Sequence, residues 1–205
     1  MEFQENNKKP EKRERKYTFA QRIFKESKDY LLILVLFMLV YILCFRVVIV
    51  VGDSMFDTLV DGDYLVLISN VFYNEPKYGD IIVASKDSFR GGECIVKRVI
   101  ATEGQEVDID FENGIVYVDG VALEEDYLYS ETKLYEGISF PLTVSEGCIF
   151  VLGDNRMDSK DSRSPEIGLI DKREVLGKAV FLLYPGDPDD NGPAKRDLGR
   201  IGGLY

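Results

Sequence analysis

A serine at position 54 and a lysine at position 97 are the two residues in this 205-residue chain whose chemistry could combine, because the chain contains no histidine. A nucleophilic serine needs a base for its hydroxyl proton. With histidine absent, a lysine held neutral is the substitute that protein chemistry offers. Three scattered cysteines, Cys44, Cys94 and Cys148, are the remaining soft ligands. No metal site and no cofactor are therefore expected. The same cysteines leave a Cys94–Cys148 disulfide open, since each lies in an apolar run where free buried thiols are also common.

Lys97 lies in CIVKRVIA (94–101). Strand alternation places Ile95, Lys97 and Val99 on one face, so the amine stands between two β-branched apolar neighbours. Desolvation there disfavours the ammonium and lowers its pKa toward a working base. An edge-strand lysine pointing to solvent would give the same local text. Ser54 follows VVIVV in VVGDSMFDTLVDGD, on a turn after a strand-like run. Such a turn exposes a hydroxyl and offers backbone N–H groups to an oxyanion, although serine is also an ordinary turn residue. The third polar cluster, GDNRMDSKDSR (153–163), is either a buried ion-pair network or a solvated loop.

The elements that position these residues fall into an anchor and a body. Tyr30–Phe45 is an uncharged run of sixteen residues, about 24 Å as a helix at ~1.5 Å per residue. A transmembrane helix is expected over 30–46, with Arg46 snorkelling at its end. No small-x-small cleavage site follows it. Residues 1–29 carry nine Lys and Arg against six acids, whereas the remainder has sixteen against thirty. The positive-inside rule then puts the N-terminal segment in the cytoplasm and the acidic body outside a cell membrane crossed once. A net charge of −11 speaks against nucleic acid as a partner.

From 47 to 185, short apolar runs alternate with turn signals: 64–69, 80–85, 94–101, 106–111, 115–120, 148–154 and 176–185, with Asn113-Gly114 marking a hairpin with a tight turn. A mostly β domain of antiparallel strands is expected, and 126–140 reads as an irregular loop. The Pro-, Gly- and Asp-rich stretch 186–205 is expected to be loosely ordered.

Taken in order, GDSMFDTLVDGD, YGDIIV (78–83), IVKRVIATEGQEV (95–107) and VLGDNRMDSKDSR (151–163) resemble the sequence boxes of bacterial type I signal peptidases. The resemblance runs over about residues 30–185. It implies a serine endopeptidase that removes signal peptides from exported preproteins, cutting after a small residue near the export channel and the bilayer. It makes Ser54 the nucleophile and Lys97 the general base. Gly52 stands where many members carry a second oxyanion-hole serine, which leaves the Ser54 N–H to serve. Ser159 matches the serine that orients the lysine, and Asp154, Asp161, Arg163 and Arg98 match supporting ion pairs. Met55 and Leu59 match residues near the substrate sites, and Val50, Val51, Ile95 and Val96 match the shallow apolar sites themselves. Asp57 departs from the usual proline. Self-cleaving repressors share the Ser–Lys pair but carry a helical DNA-binding domain, which this sequence lacks. A catalytically inert anchored scaffold is the other reading left open.

Overall fold

The structure, a computed structural model, describes residues 18–187 and 196–204, with the backbone alone for 19–26. Expectations for 1–17 and 188–195 lie outside the described residues. The chain divides into two compact units, 1–41 and 42–205.

Among the described residues a single α-helix, α1, runs Phe19–Cys44. Its segment Ser27–Cys44 is long and apolar enough to cross a membrane. The side chains from Leu31 to Leu43 are all exposed, unlike those of a core helix. The helix stops two residues short of the expected end at Arg46. Phe45-Arg46-Val47-Val48-Ile49 is an aromatic and β-branched run, and it forms a strand instead.

The second unit is mostly antiparallel β. Its strands are β1 (Phe45–Ile49), β2 (Tyr64–Ser69), β3 (Ile81–Ser85), β4 (Cys94–Thr102), β5 (Glu106–Asp110), β6 (Ile115–Val118), β7 (Val121–Ala122), β8 (Leu142–Thr143), β9 (Cys148–Leu152), β10 (Ile170–Asp171), β11 (Val175–Tyr184) and β12 (Gly202–Gly203). The larger sheet is ordered β1-β2-β11-β3-β4-β9-β10, with β12 beside β11, and the smaller is ordered β7-β6-β5-β8. One core cluster gathers Ile82, Ala84, Ile95, Val99, Val151 and Ile167, and another gathers Val50, Met55, Leu59, Leu65, Val83 and Leu182. The division follows the two-residue alternation of β3, whose Ile82 and Ala84 face one cluster while Ile81 and Val83 face the other. A third cluster, around Val107, Val116 and Phe150, fastens the small sheet to the far ends of β4 and β9.

Two sequence expectations need correction. The hairpin at Asn113-Gly114 has a four-residue connection, Phe111–Gly114, because the Asp110 carboxylate accepts the N–H groups of Glu112 and Asn113 and holds the turn open. The stretch after 186 is not loose throughout. Residues Leu198–Arg200 form a 3-10 turn capped by Asp197, β12 pairs with Phe181 and Leu182, and Leu204 packs against the cluster containing Met55 and Leu59. Glycine-rich text hid this strand, whose pairing is made by backbone alone. All three cysteines are free thiols.

Candidate active site

The loop that carries Ser54, the candidate nucleophile, begins where β1 ends. Val50 N–H donates to Asp63 O and Gly62 N–H donates to Val50 O, closing 50–63 into a loop with paired ends. Gly52 takes φ of +84°, a left-handed turn that favours glycine. Its N–H donates to Asp61 Oδ1 at 2.7 Å. Past it, Phe56 N–H donates to Asp53 O and Leu59 N–H to Met55 O, a helix-like turn that carries Ser54 half-buried at its start. Asp57, in the usual proline position, is exposed, and the Phe56–Asp57 peptide is cis. The Ser54 N–H has no acceptor among the described residues, which leaves it free for an incoming oxyanion.

Lys97 reaches this loop from β4. Its Nζ lies 2.6 Å from Ser54 Oγ and donates at 2.9 Å to Val96 O. The residue is only 4% exposed. Ile95 and Val99 belong to the cluster on its own face, and Ile82 sits opposite it in the β3–β4 ladder. Burial is the largest influence on the amine and pushes it down. The charges of Asp161 and Asp154 pull it up, Arg163 pushes it down and Glu136 pulls it up, leaving a pKa of about 8. Near that pH a substantial fraction of the lysine is neutral, and its lone pair can then accept the Ser54 proton.

The segment 153–163 wraps the pair as a buried polar network. Arg98 Nε and Nη2 donate to the two Asp154 oxygens at 2.8 and 2.6 Å, and the Arg98 guanidinium lies over the Tyr127 ring. Asp154 Oδ2 also accepts the Thr58 hydroxyl at 2.6 Å, so this ion pair ties the Ser54 loop to β4. Arg163 donates from Nε and Nη2 to Asp161, whose Oδ2 also accepts Gly153 N–H and the Ser159 hydroxyl. Both pairs are two-armed and buried, the geometry in which removing one partner strands a charge.

Ser159 is buried here but does not bond Lys97. Its hydroxyl donates at 2.8 Å to Asp161, whose two-armed grip by Arg163 fixes the carboxylate in reach, and Val96 O takes the place expected for the serine. Met55 and Leu59 are 1% and 0% exposed and form the layer beneath Val50 instead of lining the cleft. Two positions escaped sequence reasoning. Asn155 N–H donates to Ser54 O and its side-chain amide to Asp53 O, clamping the carbonyls on both sides of the Ser54 Cα. A side chain at Gly153 would overlap Ser159 Oγ and Ser54 O. Both stand inside GDNRMDSKDSR, where the acids and arginines drew the eye.

A groove of about 470 Å³ opens onto the pair. One wall is Val48–Ser54 and the other Glu93–Lys97, with Asp158 and Lys160 at the rim. Val50, Val51, Ile95 and Val96 all line it. Residues 94–97 pair with β3 on one side only, since β9 joins β4 from Arg98 onward. The groove is thus bordered by an open strand edge, where the side chains of Val50, Val51, Ile95 and Val96 stand among polar ones and an extended peptide could add as a further strand.

The sequence matches the family described as Signal peptidase, peptidase S26, over residues 23–184. Among curated proteins, it is 35% identical to a Signal peptidase I of Bacillus licheniformis over 80% of this chain and 89% of that protein. It is 32% identical to Signal peptidase I T of Bacillus subtilis over 89% and 95% of the two chains. A solved signal peptidase I from Enterococcus faecalis V583 aligns at 35% identity over 51% of this chain and 96% of that one, with a TM-score of 0.42.

Proposed function

We propose that this chain, which belongs to the peptidase S26 family of signal peptidases, is a membrane-bound endopeptidase that cuts signal peptides from exported preproteins with a Ser54–Lys97 dyad. The observation that carries the reading is the 2.6 Å approach of a buried amine to a serine hydroxyl in a groove bordered by an open strand edge. Neutral Lys97 takes the proton from Ser54 Oγ as the oxygen attacks the scissile carbonyl. The Ser54 N–H is the oxyanion donor the loop offers, because Gly52 N–H is held by Asp61. Protonated Lys97 then gives its proton to the leaving amine. Water attacks the acyl-enzyme with Lys97 again as base, releasing the signal peptide.

The peptide adds as a strand along 94–97, and the half-buried Val48 and Val96 leave room for small side chains before the cut. Substrate and enzyme both enter the bilayer, the first through its signal peptide and the second through Ser27–Cys44. Confinement to one plane, beside the export channel, raises their effective concentration. The basic segment 1–29 lies in the cytoplasm and the β domain outside it, following the positive-inside rule. No nucleic acid takes part.

The test uses the detergent-solubilised chain, a preprotein and N-terminal sequencing of the product. Ser54→Ala and Lys97→Ala are expected to lose cleavage while remaining folded. The parent's kcat/KM should rise with pH to a plateau, with a midpoint near 8. Cleavage by Ser54→Ala, or a profile that peaks well below pH 7, defeats the dyad.

A further inference from the structure

The segment after β11 carries a positive charge back to the nucleophile loop. Asp63, at the base of that loop, has a fully buried side chain. Its oxygens accept the N–H groups of Val60 (2.9 Å) and Gly186 (2.7 Å). The one cation that bonds it among the described residues is Arg200, through Nη2 to Oδ2 at 2.8 Å and Nη1 to Oδ1 at 3.1 Å. The same guanidinium donates from Nη2 to Thr58 O at 3.2 Å, four residues from Ser54. Thr58 in turn holds Asp154 through its hydroxyl. Three further contacts seat the segment. β12 pairs with β11, Leu204 N–H donates to Val180 O, and Leu204 packs against the cluster containing Met55, the residue next to the nucleophile. At the entry, any side chain on Gly186 would overlap Asp61 O, so backbone passes directly against backbone.

Buried carboxylates persist where a cation and hydrogen bonds compensate them. Removing the cation leaves Asp63 with two amide donors and a charge that draws in water or forces the loop open. That loop holds Ser54 Oγ against Lys97 Nζ, and small displacements of a reacting atom lower rate sharply. From these contacts we infer that Arg200 is a positioning residue: by neutralising Asp63 and bracing Thr58 O, the C-terminal segment sets the nucleophile loop in register with Lys97. The inference rests on Ser54 being the nucleophile. It predicts a defect in kcat larger than that in KM, because Arg200 bonds the loop at Thr58 and Asp63, and none of its hydrogen bonds reaches the groove walls at 48–54 and 93–97.

The experiment compares the parent, Arg200→Ala, Arg200→Lys and Ser54→Ala as full-length, detergent-solubilised proteins. It measures kcat per folded molecule, KM, and hydrogen exchange at backbone amides. Arg200→Ala is expected to lower kcat about tenfold or more, with KM within about twofold. Its exchange should quicken within 50–63 and not in β3, β4 or β9. Arg200→Lys keeps the charge and loses the two-armed geometry, so its kcat should lie between those of the parent and Arg200→Ala. A kcat per folded molecule in Arg200→Ala within twofold of the parent overturns the inference, as does exchange that quickens equally across the sheet. Should Arg200→Ala not fold, Arg200→Lys decides: parental kcat together with parental exchange overturns the inference, and reduced kcat with faster exchange confined to 50–63 supports it. Cleavage by Ser54→Ala would instead defeat the nucleophile assignment. An inactive Ser54→Ala beside a fully active Arg200→Ala would defeat only the role of the tail.

Discussion

Replacing Lys97 with methionine should abolish cleavage and stabilise the fold at neutral pH. The lysine is buried, with a pKa of about 8 against an ordinary value of 10.5. At ~1.36 kcal/mol per pH unit, the depression corresponds to about 3 kcal/mol. The direction follows from proton linkage. The unfolded chain holds the proton up to about pH 10.5 and the folded chain only to about 8, so between these values unfolding takes up a proton and stability rises with pH. Below pH 8 the native state carries the full penalty of a buried ammonium. Methionine has similar length and no charge, so it removes that penalty while filling the same space between Ile95 and Val99. It forfeits the hydrogen bonds to Ser54 Oγ and Val96 O, each worth about 1 kcal/mol. A net gain of about 1–2 kcal/mol at pH 7 remains, roughly 2–8 °C in Tm for a domain of this size. Raising the pH to 10.5 should erase the gain and leave the variant less stable than the parent by the lost bonds. The assay is thermal unfolding of both proteins in detergent across pH 6.5–10.5, a range set by the two pKa values. A Tm difference that does not change with pH would refute the claim that Lys97 is a desolvated base.

Two further outcomes follow from the walls of the site. Gly153→Ala should lower kcat about a hundredfold, because the added methyl overlaps Ser159 Oγ and Ser54 O; steady-state kinetics checks this, and parental kcat would show that the 153–159 loop yields freely. Cys94 is exposed on the groove wall while burial pushes the Cys148 thiol up, so a bulky maleimide at neutral pH should label Cys94 first and block cleavage, with Cys94→Ser protected; full labelling at Cys94 with undiminished cleavage would remove the peptide from that wall.

The two-residue alternation around Lys97 was enough to foresee its burial, because the same periodicity that forms the strand also selects the face. Strands β2 to β6, β9 and β11 were likewise readable from their apolar runs. Strands β7, β8, β10 and β12 were not, since two residues carry no periodicity and their pairing uses backbone groups that every residue possesses. The same limit hid Asn155, half of whose clamp is a backbone N–H, and Gly153, whose importance is the absence of an atom. The end of α1 was misplaced because hydropathy is blind to the difference between a helical and an extended apolar run. The β-branched text from Val47 to Ile49 marked that difference, and pairing with β2 pulled Phe45 and Arg46 across with it. Ser159 was assigned a partner by resemblance, and competition decided otherwise: Asp161, already fixed by Arg163, presents a charged acceptor two residues away.

The ion pairs around the dyad do more than fill the interior. Lys97 works as a base only if its surroundings favour the neutral amine, yet two buried carboxylates, Asp154 and Asp161, both pull its pKa up. Left unpaired in a low-dielectric interior they would hold the ammonium and silence the base. Arg98 and Arg163 each grip one carboxylate with two hydrogen bonds, and the charge of Arg163 itself pushes Lys97 down. The acids can therefore serve as acceptors, Asp154 for Thr58 and Asp161 for Gly153 and Ser159, without presenting their full charge to the amine. A loop that needs carboxylates to hold its shape, beside a lysine that must shed its proton, requires a guanidinium on each carboxylate. Asp63 and Arg200 repeat that arrangement on the other side of Ser54.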